Sequence, residues 1–239
     1  YRCGSTAVAD SNEFDFDPAI VRSWSRRLNT TENCDETTSL SLMSDFGLPT
    51  VSHSIAQGFD QVCAAAEACG FPLVLKTAMK GIAHKSDKNG VKVGIENIRQ
   101  LEVAYRDLQT RLGDQVLVMP MIATGVEVSV GMKNDPQYGP MVIIACGGVL
   151  IELIAERAFK LAPVSAEQVN AMIEQTRLAR LLSGVRGQAG VDRAALVELV
   201  VRFSQLAFVL GGEIAEIDLN PFIVNQSGCT IVDALVVPK

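Results

Sequence analysis

Gly70-Phe-Pro-Leu-Val-Leu-Lys-Thr-Ala-Met-Lys-Gly-Ile-Ala-His-Lys-Ser-Asp-Lys-Asn-Gly90 is the stretch on which the reading of this chain turns. Pro72 to Lys76 is a short apolar run that ends in a lysine, which is the pattern of a buried strand. A loop with Gly81, Gly90 and several lysines follows, with His84 in its middle, and a second strand opens at Val91. Phosphate chemistry suits this combination. A fixed ammonium neutralises phosphate charge, and glycines let backbone N–H groups approach the oxygens. A neutral imidazole is a competent nucleophile toward phosphorus. Composition alone allows a second reading, a solvated lysine-rich hairpin. No Walker A pattern (GxxxxGK followed by Ser or Thr) occurs, which argues against a P-loop NTPase.

Working outward, residues 1 to about 34 have little periodicity apart from a short helix predicted over Pro18 to Arg27. They read as a linker or the tail of a preceding domain, and a first residue other than Met fits a piece of a longer protein. From Asp35 the chain is regular. Leu40, Leu42, Met43 and Phe46 suit a helix stopped by Gly47 and Pro49, and Phe59 to Ala66 suit another ended by Gly70. Val91 to Ile95 reads as a strand. Asn97 caps a helix whose Ile98, Leu101, Tyr105, Leu108 and Leu112 share one face. Three strands follow at Gln115–Met121, Val126–Met132 and Met141–Cys146, with Asp135 to Gly139 as a turn. Ser165 and Gln168 form a capping box, and Ala195 to Leu210 is a long amphipathic helix. Strands at Glu213–Leu219 and Thr230–Val236 end the chain. This order lacks regular βα alternation and predicts an α+β fold with antiparallel strands, with a lobe boundary near residue 120.

With 48% hydrophobic and 20% charged residues over 239 positions, the chain can bury a substantial core. The net charge is -6, without a basic stripe, so there is no electrostatic footprint for nucleic acid. Six cysteines have no CxxC spacing and the two histidines form no zinc pattern with them. Reduced thiols in a cytoplasmic protein are expected. No apolar run reaches the length of a membrane span.

Two further groups of residues carry chemistry. Alternation puts Glu216, Asp218 and Asn220 on one side of a strand, and Asp233 follows on its neighbour. Converging carboxylate and amide oxygens suit Mg2+, although a hairpin with a polar solvent face has the same pattern. Glu127 within an apolar strand and Glu152 after Gly147-Gly148 are isolated carboxylates, either functional or salt-bridged. Gly147-Gly148 suits a tight turn or an anion cradle, and His53 reads as structural or solvated.

Taken in order, Gly70–Lys76, Ile82-Ala-His-Lys-Ser-Asp87 with Gly90-Val, Asn134-Asp-Pro-Gln-Tyr-Gly-Pro140, Gly147-Gly-Val-Leu-Ile-Glu152, Gly184-Val-Arg-Gly187 and Glu216-Ile-Asp-Leu-Asn-Pro221 resemble the ATP-grasp segment of ADP-forming acetyl-CoA synthetases. The resemblance covers roughly residues 36 to 239. Succinyl-CoA synthetase β subunits are similar at greater distance. Asn89-Gly90 stands where the family usually has Gly-Gly, and Lys160 where relatives often have arginine.

The resemblance implies an ATP-grasp fold with ATP or ADP and Mg2+ held between two α+β lobes. It implies a reaction in which a carboxylic acid, CoA and ATP give acyl-CoA, ADP and phosphate through a phosphohistidine. His84 is then the phosphoryl-collecting histidine, with Glu152 near the incoming loop. Lys76 contacts nucleotide phosphates, and Val118, Pro120 and Met121 form the hinge beside adenine. Glu127 lies near ribose or metal, and Asn220 and Asp233 hold Mg2+. CoA belongs to CoA-binding and ligase domains, in the same protein or on a partner subunit of a homo- or hetero-oligomer. Acetate, a longer aliphatic acid and an aromatic acid, as in a feruloyl-CoA synthetase, all remain open. So does a degenerate regulatory module attached to a protein acetyltransferase.

Overall fold

The computed structural model describes residues 14–79, 88–148, 156–184 and 190–239. His84, Glu152 and most of the Gly184–Gly187 motif lie outside the described residues.

Two antiparallel sheets organise the chain. The first contains β1 (Ser54–Gln57), β2 (Leu73–Thr77), β3 (Val91–Ile95) and β4 (Gln115–Pro120), in the order β1-β4-β2-β3. The second contains β5 (Val126–Asp135), β6 (Gly139–Cys146), β7 (Arg157–Leu161), β8 (Ile214–Asn225), β9 (Gly228–Ile231) and β10 (Leu235–Pro238). Its order is β10-β8-β5-β6-β7, with β9 paired to the later part of β8. The α+β character and antiparallel pairing expected from the element order are both present.

The helices are α1 (Pro18–Leu28), α2 (Glu36–Asp45), α3 (Phe59–Cys69), α4 (Ile98–Leu112), α5 (Ala166–Glu174), α6 (Leu178–Leu182) and α7 (Arg193–Val209). Their starts follow local chemistry. Asp35 and Asn97 accept backbone N–H groups with their side chains at the heads of α2 and α4. The Ser165/Gln168 capping box is formed at the head of α5. Leu101, Tyr105 and Leu108 of α4 are buried as their spacing predicts, whereas Ile98, in the first turn, faces solvent.

β4 links the two cores. Val116 and Val118 join the cluster under α3 and α4, while Leu117 and Met119 join the larger cluster built on the second sheet. This is the period-2 alternation of a strand buried on both faces. β2 follows the same rule. Leu73 and Leu75 face the helices, and Val74 packs toward the larger cluster. Lys76 shares the side of Val74, so the strand delivers its ammonium to the seam between the sheets.

Three features differ from the sequence expectation. α1, in the stretch read as a linker or tail, buries Trp24 and Leu28 in the larger cluster, and the Trp24 indole donates to Asp45 at 2.8 Å. The strand expected over Thr230–Val236 is two strands, with residues 232–234 between them. β7, α6 and the span of β1 were not read from the pattern. Among the described residues no helix is long and apolar enough to cross a membrane.

Candidate functional site

Lys76 is the centre of the site. Its Nζ donates to Glu36 Oε1 at 2.7 Å, to the Val232 carbonyl at 2.8 Å and to Asp233 Oδ2 at 3.0 Å. Glu36 comes from the first turn of α2, and Val232 and Asp233 from the break between β9 and β10. The lysine therefore crosses from the first sheet to groups carried with the second. Burial alone would push the ammonium down, but Asp233 and Glu36 more than reverse this and hold it above the ordinary lysine value.

The break in the final hairpin places the second group. Asp218 pairs with Leu235 of β10, and Phe222 pairs with Ile231 of β9. Asn220 lies in β8 between these two pairings, and Asp233 lies in the matching gap between β9 and β10. Asn220 Oδ1 accepts the Gly148 N–H at 3.2 Å. Gly147 donates its N–H to the Glu127 carbonyl at 2.9 Å. Gly148 has φ of 57°, in the left-handed region that favours glycine, and it packs against the end of the exposed Glu127 side chain. The Gly-Gly turn thus packs over β5 and β8 and gathers Glu127, Gly148 and Asn220.

Beside these residues the second sheet presents a groove of about 280 Å³, lined by Ser129, Gly131, Lys133, Ile143, Arg157 and Asp218, among others. Lys133 of β5 faces Glu216 of β8 in register, and Gly131 faces Asp218. Gly131 leaves bare backbone between flanking polar side chains, which admits a flat or charged ligand closely. A larger surface groove, about 790 Å³, lies between α5 and α7 and is lined by none of the candidate residues.

The residues expected to form the hinge lie at the end of β4. Val118 has its side chain buried under α3 and α4 and pairs with Ser54 of β1 and Leu75 of β2. Pro120 pairs with Leu73, and Met121 has an exposed side chain and an N–H donated to the Pro72 carbonyl. Glu127 is exposed on β5, not enclosed as its apolar neighbours suggest. His53 is half-buried, with Nδ1 3.2 Å from the Val51 carbonyl.

Sequence reasoning missed Glu36 and the β5 residues. Alternation of Glu127, Ser129, Gly131 and Lys133 against Val126, Val128, Val130 and Met132 was the signal for the latter. For Glu36 the only signal was an acid in a helix first turn.

For Mg2+ the donor set is chemically suitable. Asn220 and Asp233 offer hard oxygen ligands, and Asp218 shares the Asn220 side of β8. Among the described residues no cluster of three or more His, Cys, Asp or Glu forms a self-sufficient metal cage.

Comparison with known proteins gives this geometry a family. The ATP-grasp domain family matches residues 27–237. Acetate–CoA ligase (ADP-forming) I of Archaeoglobus fulgidus is 34% identical over 203 residues, which is 81% of this chain and 29% of that protein. This chain thus spans less than a third of that relative. The β subunit of acetate–CoA ligase (ADP-forming) I from Pyrococcus furiosus is 32% identical over 200 residues, 80% of this chain and 86% of the subunit. A solved structure of acetyl-coenzyme A synthetase 1 from Ca. Korarchaeum cryptofilum, with coenzyme A and Mg-AMPPCP and its phosphohistidine segment pointing toward the nucleotide binding site, superposes with a TM-score of 0.79 at 30% identity, covering 96% of this chain and 100% of that one. The chain belongs to the ATP-grasp family and, within it, to the group that contains the β subunits of ADP-forming acetate–CoA ligases.

Proposed function

We propose that this chain is the nucleotide-binding part of an ADP-forming acyl-CoA synthetase, which converts a carboxylic acid, CoA and ATP into acyl-CoA, ADP and phosphate. One observation carries the reading: the Lys76 ammonium of one sheet donates at 3.0 Å to Asp233, in the break between β9 and β10 of the other. A cation and an oxygen-rich metal site on either side of one seam are the minimum apparatus for gripping a triphosphate, because phosphoryl transfer depends mostly on positioning and charge neutralisation.

Lys76 then contacts the phosphates, with the backbone of Val118, Pro120 and Met121 beside adenine and Glu127 near ribose or metal. Asn220 and Asp233 would hold Mg2+, which when bound would supply positive charge to neutralise the phosphates. A ring nitrogen of His84 forms a bond to the γ-phosphorus as the bond to the bridging oxygen breaks and ADP leaves. Glu152 is assigned to the approach of that histidine. The phosphoryl group is next passed to CoA-binding and ligase domains, fused or on a partner subunit. Relatives of both architectures support either arrangement. A cytoplasmic setting is proposed from the sequence alone, whose six cysteines have no CxxC or zinc spacing.

Incubation with γ-labelled ATP and Mg2+ tests the proposal. Acid-labile, base-stable label is expected on the wild-type chain and absent from His84→Ala. Nucleotide binding without label on either protein would overturn the shuttle and point to a regulatory module.

A further inference from the structure

The Lys76 ammonium has three N–H donors, and all three are engaged: by Glu36, by the Val232 carbonyl and by Asp233. To touch a phosphate it must release one of them. The three partners are not equivalent. Glu36 is the shorter of the two carboxylate contacts, and its side chain is 5% exposed. It sits in the first turn of α2, where a negative side chain is favoured. α2 is tied to β10 by Ser39, whose Oγ accepts the Val236 N–H at 3.1 Å. Asp233 is the longest of the three contacts, is 33% exposed, and sits in the break between strands. Asp233 is therefore the partner that can be given up.

We propose that Glu36 is a positioning residue for the metal site: it retains Lys76 across the seam while Asp233 exchanges the lysine for Mg2+. The freed third donor then points to phosphate. This rests on the nucleotide and metal reading given above. With Glu36 in place, the ammonium keeps a carboxylate and a carbonyl after Asp233 leaves. Without it, Asp233 becomes the lysine's sole carboxylate among the described residues, and the lysine competes with the metal for it. Glu36 thus acts on metal affinity through Lys76 and touches neither metal nor nucleotide.

Calorimetric titration of the whole chain with ADP, at a series of Mg2+ concentrations and without metal, tests this. For Glu36→Gln, apparent Mg2+ affinity is expected to fall about 10- to 100-fold, as for other residues that orient a metal ligand. ADP affinity measured without metal is not expected to weaken. Glu36→Asp, which keeps the charge and shortens the reach, should fall between, and serves if the glutamine variant fails to fold. In a Lys76→Met background the Glu36 substitution should no longer change Mg2+ dependence. Equal Mg2+ dependence in wild type and both Glu36 variants would overturn the inference, as would equal weakening of ADP binding with and without metal. Absence of Mg2+-dependent ADP binding in the wild type would instead overturn the underlying reading.

Discussion

At residue scale the molecule concentrates its electrostatics on Lys76, a buried cation between two carboxylates. Removing one member of such a group leaves uncompensated charge, and we expect Lys76→Met to cost about 3–5 kcal/mol in chemical denaturation. The pH dependence has a definite sign. The folded-state pKa of Lys76 lies above its ordinary value. Its contribution is therefore complete below the unfolded-state pKa of about 10.4 and is lost as pH rises through the folded value. The stability gap between wild type and Lys76→Met should be constant from neutral pH to about 10 and shrink above it. A gap that shrinks between neutral pH and about 9, where Lys76 and its carboxylate partners all stay charged, would contradict the assignment. Lys76 was legible in the sequence because a charge ending a buried strand is conspicuous. Glu36 was not, since its partner lies forty residues away and only the fold joins them.

At the scale of elements, the Gly147-Gly148 turn is the piece that cannot be replaced. A Cβ on Gly147 would meet the Val128 backbone at 2.6 to 2.9 Å, and backbone in mid-sheet has nowhere to move. Gly147→Ala should cost about 1–3 kcal/mol and weaken ADP binding by displacing the Gly148 N–H from Asn220. Gly212→Ala, with no atom within 4 Å of the added carbon, is the control and should stay within about 0.5 kcal/mol of wild type. Denaturation and ADP titration of both variants check this. The same scale explains the misread strands. Thr230–Val236 is continuously apolar apart from Asp233, so a run count joins β9 to β10. Burial shifts phase between Ile231 and Ala234, which is where the chain leaves the ladder. β7 was missed because it is an edge strand that turns Phe159 outward, 63% exposed, and so breaks the rule that large apolar residues mark the core.

For the whole molecule, capped helices and antiparallel strands in the right order made the fold class readable, and ordered motifs made the family readable. What escaped was how far the core extends. α1 reads as surface chain because three arginines and two serines interrupt its apolar residues, yet Trp24 and Leu28 are buried with residues as distant as Val236. Trp24→Ala should destabilise the protein by about 3–5 kcal/mol. Fluorescence of this single tryptophan can follow wild-type unfolding, and circular dichroism the variant. A loss under about 1 kcal/mol would mean that α1 is dispensable.

The long β8 strand has a consequence for biosynthesis. It holds β10 along its first half and β9 along its second, and β5 runs beside both. Residues 54–120 contain every strand of the first sheet and can condense as soon as they leave the ribosome. The other sheet must wait for residues 214–238, exposing the apolar faces of β5 and β6 throughout translation of the helices between. That interval is when the nascent polypeptide is most open to aggregation and to chaperone capture.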